Sequence, residues 1–190
     1  LDKIKTDDAR SQYEIGWMYA NGQGVEQDFK EAFKWYQKAA DQGDVKSQYT
    51  LGLMYAAGKG VEQDSKEAVK WYQKAAELGY ADAQNNLGLM YKKGKGVEQD
   101  FKEAFKWYQK ATDQGHAEAQ TSLGVMYADG KGVEQNDVTA YAWWDIAATN
   151  GHQGAQKNKT IITERMTPAQ IAKAEELVKE MVKKNPKLIK

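Results

Sequence analysis

The chain has no cysteine, only two histidines and two prolines, and no excess of either charge: Lys+Arg and Asp+Glu both number 27. Without cysteine there are no disulfides, no thiolate metal sites and no thiol nucleophile. A formal charge of zero gives no bulk attraction to nucleic acid or to an anionic membrane. No apolar run approaches the roughly 18 residues of a membrane span. No charged-then-apolar leader opens the sequence either. What remains is a 190-residue chain that is 41% apolar, long enough for one domain with a real core. Against the two prolines stand 17 glycines, which need an explanation.

Alignment of the chain with itself supplies it. Gly16, Gly52, Gly88 and Gly124 lie 36 residues apart, and three further sets beginning at Gly22, Gly24 and Gly43 repeat the interval, so that 16 of the 17 glycines fall into register. Trp35, Trp71, Trp107 and Trp143 follow the same interval, as do the Met18 and Tyr19 series. Residues 25–60 and 97–132 differ at nine of 36 positions. A strict period in the range of about 20–50 residues marks a stacked array of one supersecondary unit.

Each unit reads as two helices. Ala83, Leu87, Met90 and Tyr91 have helical spacing, and Gly94-Lys95-Gly96-Val97 then stops the helix. Asp100 opens a second helix with Glu103 three residues on, which predicts a capping box, repeated at Asp28/Glu31 and Asp64/Glu67. Ala104, Phe105, Trp107, Tyr108 and Ala111 fill that helix, and Gly115 ends it. Nothing alternates with period two, so the expected fold is all-α, a solenoid of antiparallel helix pairs. The mid-helix glycines each cost roughly 1 kcal/mol against alanine, which implies close helix approach there. The Trp and Tyr rings are expected to fill the space between helices. The expected organisation is one solenoid domain over 1–190. Its helix pairs are 8–43, 44–79, 80–115 and 116–151, followed by a partial fifth helix at 152–165 and a capping helix at 167–184.

The pattern Ala83-Gln84, Leu87-Gly88, Gly94-x-Gly96-Val97 and Trp107-Tyr108, present in all four copies with small changes, resembles the Sel-one-like repeat, a relative of the tetratricopeptide repeat. The ending Met166-Thr167-Pro168-Ala169-Gln170-Ile171 resembles the helical tail of its bacterial members. The resemblance implies a right-handed superhelix whose first helices line a concave face that binds protein partners. The disulfide-bearing branch of the family is set aside by the missing cysteines.

The second helices carry Lys30, Lys34 and Lys38, Lys66, Lys70 and Lys74, and Lys102, Lys106 and Lys110 at four-residue steps. With no net charge and no exposed aromatic among them, they read as a solvated outer face. The fourth copy has Val138, Ala142 and Ile146 at those positions. A stripe that turns apolar needs a cover. The segment after Thr167-Pro168 has a helix start and one apolar face, Ile171, Ala174, Val178, Met181 and Val182. At the other end, residues 1–7 hold only Leu1 and Ile4 as apolar residues, so an uncapped first helix is expected there.

At 100° per residue, the face of each first helix turned away from its own hairpin partner is a second register. By comparison with tetratricopeptide arrays this register lines the groove. Its candidate partner-binding residues are Tyr13, Trp17, Tyr49, Leu53, Asn85, Leu89, Lys92, Lys93, Thr121 and Val125. Trp17, Leu53, Leu89 and Val125 form an apolar ribbon, with Tyr13 and Tyr49 making its first end aromatic. Such a surface marks a binding site unless the neighbouring first helix buries it. Lys92 and Lys93 beside it suit an amphipathic helix or an extended peptide.

Enzyme signatures are lacking. His116 and His152 occupy one register in adjacent units, too far apart at helix-packing distances to share a metal. The carboxylates recur with the repeat, whereas a catalytic pair is singular. Gly-x-Gly-Val follows a helix and is no phosphate loop. The expected function is therefore a non-catalytic scaffold that binds a protein or peptide. It would use no cofactor, no metal and no nucleic acid, would not insert in a membrane, and would act as a monomer. The alternative is an envelope accessory or weak hydrolase acting on glycan or peptidoglycan. A bacterial protein of the periplasm or secreted space is favoured over a cytoplasmic one.

Overall fold

The computed structural model describes residues 7–189. Leu1 and Ile4, on which the expectation of an uncapped start rests, lie outside them. The described residues form ten α-helices, a closing 3-10 turn at Pro186–Leu188 and no strand. The helices are α1 (Ala9–Asn21), α2 (Phe29–Asp41), α3 (Val45–Ala57), α4 (Ser65–Glu77), α5 (Ala81–Lys93), α6 (Phe101–Thr112), α7 (Ala117–Asp129), α8 (Asp137–Thr149), α9 (Gln153–Thr163) and α10 (Pro168–Lys184). Their contacts gather into two compact units. One comprises residues 1–83 with 94–98, the other residues 84–93 with 99–190.

One set of local interactions builds every hairpin. The first helix ends on a left-handed glycine, as at Gly58, whose φ is 68°. The Gln63 side-chain amide then donates to the Ala56 carbonyl at 2.7 Å, and Gln27, Gln99 and Gln135 do the same to Ala20, Lys92 and Ala128. Asp28, Asp64 and Asp100 cap the second helices, each carboxylate accepting two backbone N–H groups. The reciprocal half of the expected capping box is absent. The cap residues' own N–H groups donate instead to the carbonyls of Tyr19, Tyr55 and Tyr91, each at 3.0 Å. That leaves Glu31, Glu67 and Glu103 to pair with Lys34, Lys70 and Lys106.

The helices of a pair meet ring on glycine. A Cβ on Gly52 would stand 2.5 Å from the Tyr72 ring, and the same encounter recurs between Gly16 and Tyr36 and between Gly88 and Tyr108. Glycine is thus the residue that lets the ring approach the helix backbone this closely. Gly60 serves a different contact: with φ of 73°, it would place a Cβ 2.1 Å from the Phe29 carbonyl oxygen of the preceding hairpin. The second glycine of Gly-x-Gly therefore joins one hairpin to the next.

On the second helices, Lys38, Lys74 and Lys110 lie over the rings of Trp35, Trp71 and Trp107 at 4.2, 4.0 and 4.0 Å. Six of the nine stripe lysines thus have partners within their own helix. In the fourth pair, Ala142 and Ile146 are fully buried. Val178, Met181, Val182 and Leu188 pack around Ile146, and Ile171 and Ala174 pack with Val138 and Tyr141. The helix α10 starts with a complete capping box between Thr167 and Gln170, has Pro168 in its first turn, and covers α8.

Candidate functional site

In the first unit, α1 turns Gln12, Ile15 and Gly16 inward. Trp17, one residue past Gly16, is 42% exposed, and Leu53 at the same register of α3 is 39% exposed. Tyr13 and Tyr49 are half-buried. The Tyr13 ring lies 5.5 Å from Tyr36, and Tyr49 lies 5.9 Å from Tyr72 and 5.1 Å from Tyr80. Burial raises the Tyr13 hydroxyl above its ordinary pKa, assisted by Asp44. Burial, with Asp82 beside it, pushes Tyr80 up to about 12. Tyr13 and Tyr80 are therefore neutral hydrogen-bonding groups at any physiological pH. Arg10, Tyr13, Glu14, Asp44, Lys46 and Tyr80 line an open cleft of about 620 Å³. Tyr80 stands where the other copies have Asp8, Asp44, His116 and His152, and it was not among the residues the sequence singled out.

In the second unit the predicted residues divide. Asn85 is buried and donates its side-chain amide to Glu118 at 3.3 Å, so it acts as a strut between α5 and α7 and offers little to a partner. Leu89 is half-buried against the core cluster around Tyr108 and Leu123. Thr121 donates its hydroxyl to the Ala117 carbonyl at 2.9 Å, while its own carbonyl accepts the Trp144 indole N–H at 3.1 Å. Lys93 is exposed, whereas Lys92 is half-buried. Loss of water lowers the Lys92 pKa. Asp129 opposes that shift, and Lys131 and Lys93 add to it. Val125 lines a cleft of about 280 Å³ with Ala128, Trp144, Ile161, Ile162 and Arg165. Ile161 is 63% exposed. It lies 36 residues after Val125 and so belongs to the same ribbon; the sequence reading passed over it.

The two histidines are helix caps. His116 Nδ1 accepts from Ala119 N at 3.3 Å and His152 Nδ1 from Ala155 N at 3.1 Å. Among the described residues no cluster of His, Asp and Glu is placed to hold a metal ion, and no helix is long and apolar enough to cross a membrane.

Four helical hairpins on one template, closed by a capping helix, define an α-solenoid repeat protein. The model of the Sel1 repeat matches residues 9–44, 45–80, 81–116 and 117–152, and the chain belongs to the Sel1 repeat family. It is similar to c5321, a protective antigen of uropathogenic Escherichia coli strains that displays an SLR fold, with 37% identity and a TM-score of 0.85 over 95% of this chain and 39% of that one. It is also similar to a Sel1 repeat protein of Oxalobacter formigenes, at 36% identity and a TM-score of 0.79 over 84% of this chain and 65% of that one. Cysteine-rich protein B of Helicobacter pylori shares 26% identity at a TM-score of 0.55, over 72% of this chain and 98% of that one. The chain thus spans less than two thirds of the first two proteins. No curated protein sequence matches it. Sel1 repeat proteins generally serve as scaffolds for protein–protein interaction and are generally non-catalytic.

Proposed function

We propose that this protein is a non-catalytic adaptor that binds a protein or peptide partner along the first-helix faces of its repeats. The observation that carries the reading is the exposure of Trp17 and Leu53 at one register of consecutive first helices. The neighbouring positions Ile15 and Leu51 are fully buried. Large apolar side chains left in water at a repeated position do little for folding, and tryptophan and tyrosine are the residue types that dominate binding energy at interfaces. The half-buried tyrosines beside them add hydroxyls and ring faces.

The test is a capture experiment from the native host with the wild-type chain and with Trp17→Ala, Leu53→Ala. Interface anchors cost roughly 2 kcal/mol or more when truncated, so the double variant should retain less than about a tenth of the partner. Its melting temperature should stay within a few degrees of wild type. A collapse of the melting temperature would assign both residues to the core and overturn the reading. Retention on immobilised glycan or peptidoglycan that survives both substitutions favours the alternative accessory role. A periplasmic or secreted location belongs to the same proposal and is checked by fractionating the host.

A further inference from the structure

The first-helix face of the second unit holds a pocket whose chemistry is more specific than an apolar ribbon. Its base is the Trp144 indole, where the equivalent ring in the preceding hairpins is a tyrosine. The indole is fixed twice. Its N–H donates to the Thr121 carbonyl, and its ring lies so close to Gly124 that a Cβ there would stand 2.4 Å away. Val125 and Ala128 of α7 form one wall, and Ile161 and Ile162 of α9 the other. Ile162 is 3% exposed and belongs to the core. Ile161 is 63% exposed and has no such duty. The cleft of about 280 Å³ has room for a large apolar side chain.

Asp129 and Arg165 also line the cleft, and around them the cations Lys92, Lys93 and Lys131 outnumber the one further acid, Asp137. Of the charges felt by Lys92, one is opposite, Asp129, and two are like, Lys131 and Lys93. Asp129 is itself paired with Lys131 at 3.1 Å. Arg165, which helps line the cleft, pairs with Asp137 at 2.7 Å through one of its guanidinium nitrogens and retains further donors. A carboxylate arriving here finds one half-buried cation, Lys92, and exposed ones that outnumber the acids, whereas an arriving ammonium meets Asp129 and Asp137, each already paired. The same argument disfavours the lysine-rich end of a second copy, Lys183, Lys184 and Lys187, as the occupant.

We propose that this cleft is an anchor subsite for an acidic amphipathic segment of a protein partner. One large apolar side chain enters between α7 and α9 over Trp144, and carboxylates of the same segment lie against Lys92, Lys93 and Arg165. The proposal rests on the adaptor reading and names the chemistry of its partner. Burying Ile161 supplies the apolar gain, while the cations set the direction and charge of what is accepted.

Two synthetic peptides of about 14 residues, roughly four helical turns, test it. Both carry leucine or phenylalanine at i, i+3, i+4 and i+7; one has glutamate and the other lysine at the intervening positions. Affinity is read by fluorescence anisotropy, and the site by amide shifts of the isotope-labelled full chain. The acidic peptide should bind at least about tenfold tighter, weaken with salt, and shift Val125, Ala128 and Ile161. Ile161→Asp should abolish binding with an unchanged melting temperature. Lys92→Glu, Lys93→Glu should invert the preference. Equal affinity for both peptides, no binding of the acidic one, or shifts that avoid the cleft would each overturn the proposal. The Trp17 and Leu53 variants test the adaptor reading on the other unit, so the two failures are told apart.

Discussion

Replacing Leu78 by glutamine should stabilise the protein. At the end of each hairpin a buried glutamine of the first helix meets the residue that closes the second helix. Gln42 donates to Gln12 at 2.8 Å, Gln114 to Gln84 at 2.9 Å and Asn150 to Gln120 at 2.9 Å. In the second hairpin the closing residue is Leu78, which is 61% exposed, and the Gln48 Oε1 atom is buried with no donor. The backbone is already suitable, with φ and ψ of −81° and 5° at Leu78 against −87° and 5° at Gln42. Supplying the donor should restore a net hydrogen bond of about 1 kcal/mol and relieve an orphaned acceptor that costs about 1–3 kcal/mol. The exchange removes a leucine whose full burial would be worth about 1.5–3 kcal/mol and of which well under half is realised, so roughly 1 kcal/mol is lost. The net gain is about 1–3 kcal/mol, or a rise of about 2–12 °C in melting temperature for a domain of this size. Differential scanning calorimetry of Leu78→Gln measures it. Repeating the exchange on a Gln48→Ala background should give no gain. An unchanged or lower melting temperature, or the same gain without Gln48, would refute the reasoning.

Four further exchanges follow from the same geometry. Gly52→Ala improves helix propensity by about 1 kcal/mol yet drives a methyl group into the Tyr72 ring; a net loss of about 1–3 kcal/mol is expected, and a higher melting temperature would contradict the ring-on-glycine contact. The buried hydroxyls of Ser47 and Thr112 have no partner, and most equivalent positions in other hairpins are alanine, so Ser47→Ala and Thr112→Ala should each leave stability unchanged or raise it by about 1 kcal/mol in urea unfolding. His152→Asp should add about 0.5–1 kcal/mol, because a carboxylate caps α9 as Asp44 caps α3 and complements the helix dipole; a loss would show that the imidazole does more than accept from Ala155.

Much of this fold was legible because its signals are local and repeated. Each glycine stop, aspartate cap and ring position recurs often enough to exclude accident, and the change from Lys102, Lys106 and Lys110 to Val138, Ala142 and Ile146 told of a cover before α10 was placed. What depended on competition between neighbours was less readable. Asp28 and Glu31 have capping-box spacing, but the Tyr19 carbonyl takes the Asp28 N–H and Lys34 takes the Glu31 carboxylate. Asn85 stands in the candidate binding register, but Glu118 on α7 draws it inward. Trp17 and Leu53 kept their exposure, whereas Leu89 and Val125 gave part of theirs to packing inside the second unit.

Ile161 shows why a repeat should be followed past its last complete copy. The fifth first-helix has no Gly-x-Gly stop after it, no tryptophan partner and only 11 residues, so it reads as a partial copy before the cap. Two adjacent isoleucines there do not say which one faces inward. The 36-residue interval does: Ile162 falls in the register of Met54, Met90 and Met126, all buried, and is itself buried, while Ile161 falls in the register of Trp17, Leu53, Leu89 and Val125. Ile161 stands further into solvent than any other member of that ribbon. On the proposed adaptor reading, an apolar residue left that exposed is one whose side chain answers to a partner rather than to the fold.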